Sequence, residues 1–453
     1  MDNFKLKTNI LGKILIFILC GLIFISNSVV AFAEVDTSAE FAVDSDYWTY
    51  WPQAETITGK TACLMDADTG TILYSKGLDA QRYPASITKL MTALIVAENC
   101  SLDDQVTMTE TGMADAYAGS SNCNPQLGEV FTVKECLELL LIKSANDIAS
   151  QLAEHTAGSV QNFATMMNEK AILLGCTNTN FVNASGLEDS NHYTSARDMA
   201  LIMRAAIQND TIREIMGMPS CTIPATNMSE ERYYTTHNLL MQPDSGYYYE
   251  GCLGGKTGYT DISQSTLVCY AQRNDMTLIG VVMGAPETQS NASDMITLFD
   301  YGFNNFYRSE AVPGASCLSG GTVTLPYGLD ASQLTLTATD NGENKDFTLT
   351  VDDHIIGRGS MTASEYSRIT GESIDSSSTV QETSSGTSQT TAGTSGSTIN
   401  DTEGTDSVIA KDSSAKSPVL YVIMIILGIA ILIGIIYIIQ KNRKQKRRKR
   451  KKR

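Results

Sequence analysis

Three short motifs, in one chain order, bring together residue types able to do nucleophilic chemistry: Ser86-Ile87-Thr88-Lys89, Ser144-Ala145-Asn146 and Lys256-Thr257-Gly258. A serine hydroxyl is a weak nucleophile and needs a base within hydrogen-bond reach. At i and i+3 on a helix, Ser86 and Lys89 share one face, with Cβ atoms about 5–6 Å apart. Lysine serves as a base when burial or a second cation makes its proton easy to lose. Leu90, Met91, Leu94 and Ile95 supply the apolar surroundings, and Lys256 is a candidate for the second cation. Pro84-Ala85 places Ser86 at the opening of its helix, where free N–H groups favour developing negative charge.

Ser144-Ala145-Asn146 interrupts a strongly helical stretch between Leu137–Leu141 and Ile148–Leu152. Ser and Asn disfavour helix interiors because their side chains compete for backbone hydrogen bonds. The spacing therefore predicts an inter-helix loop that presents a hydroxyl and an amide to a cleft, for proton relay and orientation. Lys256-Thr257-Gly258, behind Gly254-Gly255 and followed by Tyr259, reads as an extended edge. There a cation and a hydroxyl bind a substrate carboxylate, and glycine permits close backbone approach. Each motif alone has a bland counterpart: an N-cap with a solvated lysine, a helix–helix turn, a flexible glycine turn. S-x-x-K recurs at Ser413–Lys416 and S-x-N at Ser120–Asn122, whereas K-T-G occurs once. Order and context carry the specificity.

The elements that must position these residues read as α+β. Strands are expected at Thr61–Met65, Thr71–Tyr74, Ser265–Ala271 and Leu278–Met283. Helices are expected at Ser86–Ala97, at Val133–Leu141 behind the Thr132-x-x-Glu135 box, at Val160–Leu174, and from the Ser195-x-x-Asp198 box to about Ile207. Strands at both ends with helices between them imply one antiparallel sheet with an inserted helical region, over residues 46–311. In residues 312–371 the alternations Leu334–Ala338 and Phe347–Val351 flank Asn341-Gly342, a hairpin signature that implies a small all-β domain.

Of the 46 residues from Glu372 to Ser417, 22 are Ser or Thr, with no aromatic and no Pro, which reads as a disordered stalk over 372–417. Val419–Ile439 is twenty-one residues without a charge, long enough to span a bilayer as a helix. The basic tail over 440–453, with 11 of the 33 Lys and Arg in its last thirteen residues, then reads as cytoplasmic. Ile14–Ile25 behind three lysines, with Ala31-Phe32-Ala33 beyond, reads as a signal peptide over 1–33. The expected arrangement is a single-pass cell-membrane protein with its catalytic domain outside. Residues 34–440 hold 19 basic against 49 acidic residues, a balance that disfavours nucleic acid. Nine cysteines follow residue 33 without a C-x-x-C pair; they read as small buried hydrophobes, and no metal site is expected.

The motif set resembles the penicillin-recognising serine acyl transferases, whose signature combines S-x-x-K, S-D-N and K-T-G. It is most similar to the serine-type D-alanyl-D-alanine carboxypeptidases, the low-molecular-mass penicillin-binding proteins of peptidase family S11. Asp66–Gly70, Tyr83–Thr92, Gly119–Ser121, Ser144–Asp147, Asn183–Leu187, Ser195–Ala200 and Gly255–Asp261 all carry the likeness, across about residues 60–285. The resemblance implies a β-lactamase/transpeptidase-like catalytic domain and assigns roles. Ser86 would form an acyl-ester with the penultimate D-Ala of a peptidoglycan stem peptide, Lys89 would be the general base, and Ser144 with Asn146 would position and relay protons. Lys256 and Thr257 would hold the substrate carboxylate, with Gly258 beside them, and the backbone N–H groups of Ser86 and Tyr259 would form the oxyanion hole. It implies no cofactor, and β-lactam antibiotics as covalent inhibitors.

Two other readings stand beside this one. A class A β-lactamase shares the frame but reads S-D-N and carries a deacylating Glu on a later loop; this chain has Ser144-Ala145-Asn146 and Asn183–Leu187 instead. A non-catalytic, stalked surface protein would have no use for intact Ser86, Lys89, Ser144 and Lys256.

Overall fold

Strands that are apolar at every position, not every second one, must have both faces covered. The computed structural model, which describes residues 35–352 and 354–371, shows why Thr61–Met65 and Leu278–Met283 read that way. β1 (Thr61–Asp66) and β2 (Ile72–Lys76) form a hairpin, and the chain then leaves the sheet for a helical region. That region holds α1 (Lys89–Asn99), a ribbon of β3 (Gln105–Thr107) and β4 (Val130–Thr132) with the one-turn α2 (Glu110–Met113) between them, and α3 (Val133–Glu138). There follow α4 (Asn146–Ala157), α5 (Val160–Leu173), α6 (Ala196–Ala206), α7 (Asp210–Met216), and a second ribbon of β5 (Ser220–Ile223) and β6 (Arg232–Thr235). The chain returns through β7 (Cys252–Thr260), β8 (Gln264–Arg273) and β9 (Met276–Ala285). β9 pairs with β1, which gives a five-stranded antiparallel sheet in the order β2-β1-β9-β8-β7.

One face of this sheet sends Cys63, Met65, Val268, Tyr270, Ile279, Val281 and Met283 into a core shared with the helical region. The other sends Ala62, Leu64, Leu267, Cys269, Leu278 and Val282 into a second core, with α8 (Thr288–Asn305) and the C-terminal strands. The predicted caps form. Thr132 Oγ1 accepts from the Glu135 amide at 3.2 Å while Glu135 accepts from the Thr132 amide at 2.7 Å, and Ser195 accepts from the Asp198 amide at 3.2 Å. The helix expected over Val133–Leu141 differs: α3 stops at Glu138, and Leu139–Lys143 form a widened π-type turn.

β10 (Phe306–Glu310) pairs with β11 (Thr322–Pro326), a ribbon that straddles residues 311 and 312. β12 (Thr335–Asn341), β13 (Asn344–Val351) and β14 (His354–Thr362) form a three-stranded sheet, and α9 (Ala363–Thr370) closes it. The small C-terminal part is therefore not all β. The Thr362 hydroxyl caps α9 by accepting from the Glu365 amide at 3.2 Å. The nine cysteines among the described residues are free thiols: six are buried, and Cys100, Cys252 and Cys317 are partly so. The expected signal peptide, stalk, spanning segment and basic tail lie outside the described residues. Among the described residues no helix is long and apolar enough to cross a membrane.

The C-terminal strands are tied to the main sheet by a buried ion pair. Asp66, at the end of β1 and wholly buried, accepts from Arg308 Nε at 3.1 Å and Nη2 at 3.0 Å, and from the Thr324 hydroxyl at 2.9 Å. Thr71 Oγ1 donates to the Ile356 carbonyl at 2.8 Å alongside. Removing one partner of such a pair strands the other charge in low dielectric. The variant Arg308→Met is expected to lose about 3 kcal/mol in urea unfolding, since the Asp66 carboxylate keeps the Thr324 hydroxyl and the Asp68 and Thr69 amides as donors.

Candidate active site

Ser86 sits in a 3-10 turn, Ala85–Thr88, that leads into α1. Ala85 has a φ of 51°, a left-handed conformation that a side chain normally disfavours. Its neighbours enforce it: Thr266 Oγ1, on β8, donates to the Pro84 carbonyl at 2.8 Å. Two glycines let the surroundings close on the turn. A Cβ at Gly186 would lie 1.8 Å from the Ala85 carbonyl oxygen, and one at Gly258 would lie 2.7 Å from the Ser86 nitrogen. The glycine of Lys256-Thr257-Gly258 thus permits the close approach anticipated from sequence, and its partner is the nucleophile's own backbone.

Lys89 is fully buried beneath half-buried Ser86. Its Nζ lies 2.8 Å from Ser86 Oγ, 2.6 Å from Asn146 Oδ1 and 2.7 Å from the Ser185 carbonyl. The last two partners can only accept. When the amine is neutral, they take its two N–H bonds and leave its lone pair for the Ser86 hydroxyl. Burial, followed by the charge of Lys256, holds the Lys89 pKa well below its ordinary value. A neutral lysine beside a half-exposed serine is a nucleophile–base pair.

Ser144 ends the π-type turn in a left-handed conformation (φ 65°), and α4 starts at Asn146. The loop predicted to break the helical stretch is present. It turns the Ser144 hydroxyl to Lys256 Nζ, which donates to it at 2.8 Å and to the Thr257 carbonyl at 2.8 Å. Lys256 is 2% exposed, and burial lowers its pKa to about 7. β7 is the edge strand of the sheet, so the strand that carries Lys256 to Tyr259 has one unpaired side. Ser86, Asn146 and exposed Tyr259 line a cleft of about 700 Å³, together with Tyr117, Ser120 and Asp261. Lys89, Ser144, Lys256, Thr257 and Gly258 are not among its lining residues; hydrogen bonds and close packing join them to it.

Three contributors were not anticipated as site residues. Ser185 acts through its carbonyl, which no sequence motif reveals, although Asn183–Leu187 was conspicuous as a block. Ser120 Oγ accepts from Asn146 Nδ2 at 2.9 Å and so holds the side chain whose Oδ1 faces Lys89. Asp147 is buried, and burial pushes its pKa up to about 6. It accepts from the Cys123 amide at 3.0 Å, which holds the segment carrying Ser120 against α4.

A serine activated by a buried lysine, opening on a cleft beside an edge strand, defines a serine acyl-transfer enzyme. The D-alanyl-D-alanine carboxypeptidase (peptidase S11) family model matches residues 49–287, and the chain belongs to that family of serine-type peptidases. The chain is 32% identical over 252 residues to the D-alanyl-D-alanine carboxypeptidase DacF of Bacillus subtilis, covering 54% of this chain and 62% of the relative. It is 33% identical over 289 residues to DacA of Haemophilus influenzae, covering 62% and 69% respectively. Among solved structures, penicillin binding protein 5 of Haemophilus influenzae superposes with a TM-score of 0.58 at 27% identity, over 69% of this chain and 98% of that one. The Streptomyces K15 DD-transpeptidase gives a TM-score of 0.52 at 29% identity, over 56% and 100%.

The Lys89 environment sets a sign for pH dependence. Because the base is competent only when neutral, acylation falls as pH drops through the lowered Lys89 pKa. Asn146→Asp keeps the shape of that partner and adds a carboxylate, which favours the ammonium. The acid limb of penicillin acylation is expected to move up by about 1–3 pH units, with a slower rate at pH 7, in stopped-flow acylation across pH.

Proposed function

We propose that this chain removes the terminal D-Ala from peptidoglycan stem pentapeptides through an acyl-enzyme on Ser86. The observation that carries the reading is the Ser86–Lys89 pair, with two acceptor-only groups turning the lysine lone pair toward a hydroxyl at the cleft. The substrate lies along the open side of β7 as an added strand, its carboxylate held by Lys256 and Thr257. Ser86 Oγ attacks the carbonyl carbon of the penultimate D-Ala, and its proton passes to Lys89 Nζ. The oxyanion takes hydrogen bonds from the backbone N–H groups of Ser86 and Tyr259. When the tetrahedral centre collapses, the C–N bond breaks, and the proton taken up by Lys89 is passed by way of the Ser144 hydroxyl to the leaving amine of D-Ala, which returns Lys89 to the free amine. Water, deprotonated by Lys89, then cleaves the ester and frees Ser86. A β-lactam takes the same first step, but its amine stays tethered after ring opening, so the ester persists.

Mass spectrometry of a D-Ala-D-Ala pentapeptide incubated with the chain is expected to show loss of one D-Ala, and penicillin is expected to add once, on Ser86. An adduct on another residue, or an intact pentapeptide, sinks the reading.

The same proposal places the enzyme outside the cell, anchored through Val419–Ile439 with its basic tail in the cytoplasm. That part rests on the sequence pattern alone. Truncation before Pro418 is expected to move the activity from the membrane pellet to the soluble fraction with an unchanged specific rate. Activity that still sediments with membranes overturns the anchor.

A further inference from the structure

His192 lies outside the three motifs and is 1% exposed, yet its ring touches both segments that meet at Lys89. The Val182 amide lies 3.1 Å from Nδ1, and Thr88 Oγ1 lies 2.9 Å from Nε2. A backbone N–H only donates, so Nδ1 is the acceptor and the ring proton resides on Nε2, where it is donated to Thr88. Burial, opposed by Asp189 and reinforced by Lys89, lowers the His192 pKa to about 4, which keeps this single tautomer at neutral pH. Phe181 packs edge-on against the imidazole, with centroids 5.5 Å apart.

Each of these contacts leads to the base. Thr88 immediately precedes Lys89 on the turn that carries Ser86. Val182 starts the segment whose Ala184 carbonyl accepts from Thr92 Oγ1 at 2.6 Å and whose Ser185 carbonyl accepts from Lys89 Nζ at 2.7 Å. The two segments are in tight contact: Thr88 Oγ1 is 2.8 Å from where a Cβ on Gly186 would stand. We propose that His192 is a positioning residue, which bridges Thr88 and Val182 and so sets the Ser185 carbonyl against Lys89. The inference rests on the acyl-transfer reading of Ser86 and Lys89 given above.

The test uses the full chain in detergent, with isosteric changes at the two ends of one hydrogen bond. Thr88→Val removes the acceptor, and His192→Phe removes the ring nitrogens. Misplacing a catalytic group by under an ångström lowers turnover about ten- to hundredfold. Both variants are expected to lose kcat for D-Ala release on that scale while KM stays within about twofold, the pattern of an interaction felt only in the transition state. Thr88→Ser, which keeps the hydroxyl, is expected to retain kcat within about twofold, and the double variant to be no slower than the slower single. Unchanged kcat in folded Thr88→Val, an equal loss in Thr88→Ser, or losses that multiply in the double variant overturn the proposal. If His192→Phe does not fold, Thr88→Val against Thr88→Ser decides. If the parent chain releases no D-Ala, the substrate reading has failed, and the rate of labelled-penicillin acylation in the same variants decides the positioning role.

Discussion

The structure depends on burying an amine that has to change its charge. Lys89 is surrounded on α1 by Leu90, Met91, Leu94 and Ile95, each 2% exposed or less. Low dielectric disfavours the ammonium, which makes the neutral base available, but a buried N–H without an acceptor is costly in its own right. The acceptors must therefore be present and must carry no charge. Asn146 Oδ1 and the Ser185 carbonyl satisfy both conditions. Two carboxylates, Asp147 and Asp115, act on Lys89 through their charge and offset only part of the depression. An Asn and a main-chain carbonyl thus satisfy the lysine without adding a charge that would favour the ammonium.

Bringing these partners to one point dictates much of the local fold. Asn146 comes from the start of α4, Ser185 from the segment before α6, and Ser86 with Lys89 from the entry to α1. Three segments remote in sequence converge within hydrogen-bond distance only if no side chain intervenes, which is why Gly186 and Gly258 flank the serine turn. The turn itself is held in strain at Ala85, and the sheet opposes that strain through Thr266 on β8. A residue held in an unfavourable conformation persists only where its surroundings over-determine it. Here those surroundings are the central sheet, covered by apolar cores on both faces.

The legible parts of this design were those that depend on side-chain type at short range. The three motifs, the caps at Thr132 and Ser195, the break at Ser144 and the hairpin around Gly342, whose turn is Gly342-Glu343 and not Asn341-Gly342, each follow from what one residue does to its neighbours. What stayed hidden depends on distant partners or on backbone atoms. The Ser185 carbonyl belongs to every residue type alike, and Ser120 gained meaning only once α4 had placed Asn146 beside it. β14 is illegible in the sequence because Gly357 and Gly359 break its apolar alternation. They are there because Val323 and Phe347 fill the space a side chain would need, with 2.6 Å and 2.5 Å to a built Cβ. α9 carried a readable signal in Thr362-x-x-Glu365, but its eight residues sit directly behind a strand, where alternation dominates the local pattern.

The two lysines of the site divide their work by electrostatics, although both are buried and both are cations by default. The Lys256 pKa is lowered by burial alone, to about 7, whereas Lys89 is lowered by burial and by Lys256 in addition. Two cations this close do not titrate independently, and the protonation that survives is the one that keeps them from both being charged. Lys256 donates to the Ser144 hydroxyl and the Thr257 carbonyl, while Lys89 faces Ser86, so a charge held on Lys256 favours the free amine at the serine. The charge on Lys256 is therefore one of the causes that lower the Lys89 pKa, and the two lysines form one electrostatic unit. A carboxylate paired directly with Lys89 would undo this arrangement, because it would fix a proton on the amine. The hydroxyl and carbonyl partners found at both lysines satisfy their N–H groups without forcing either choice.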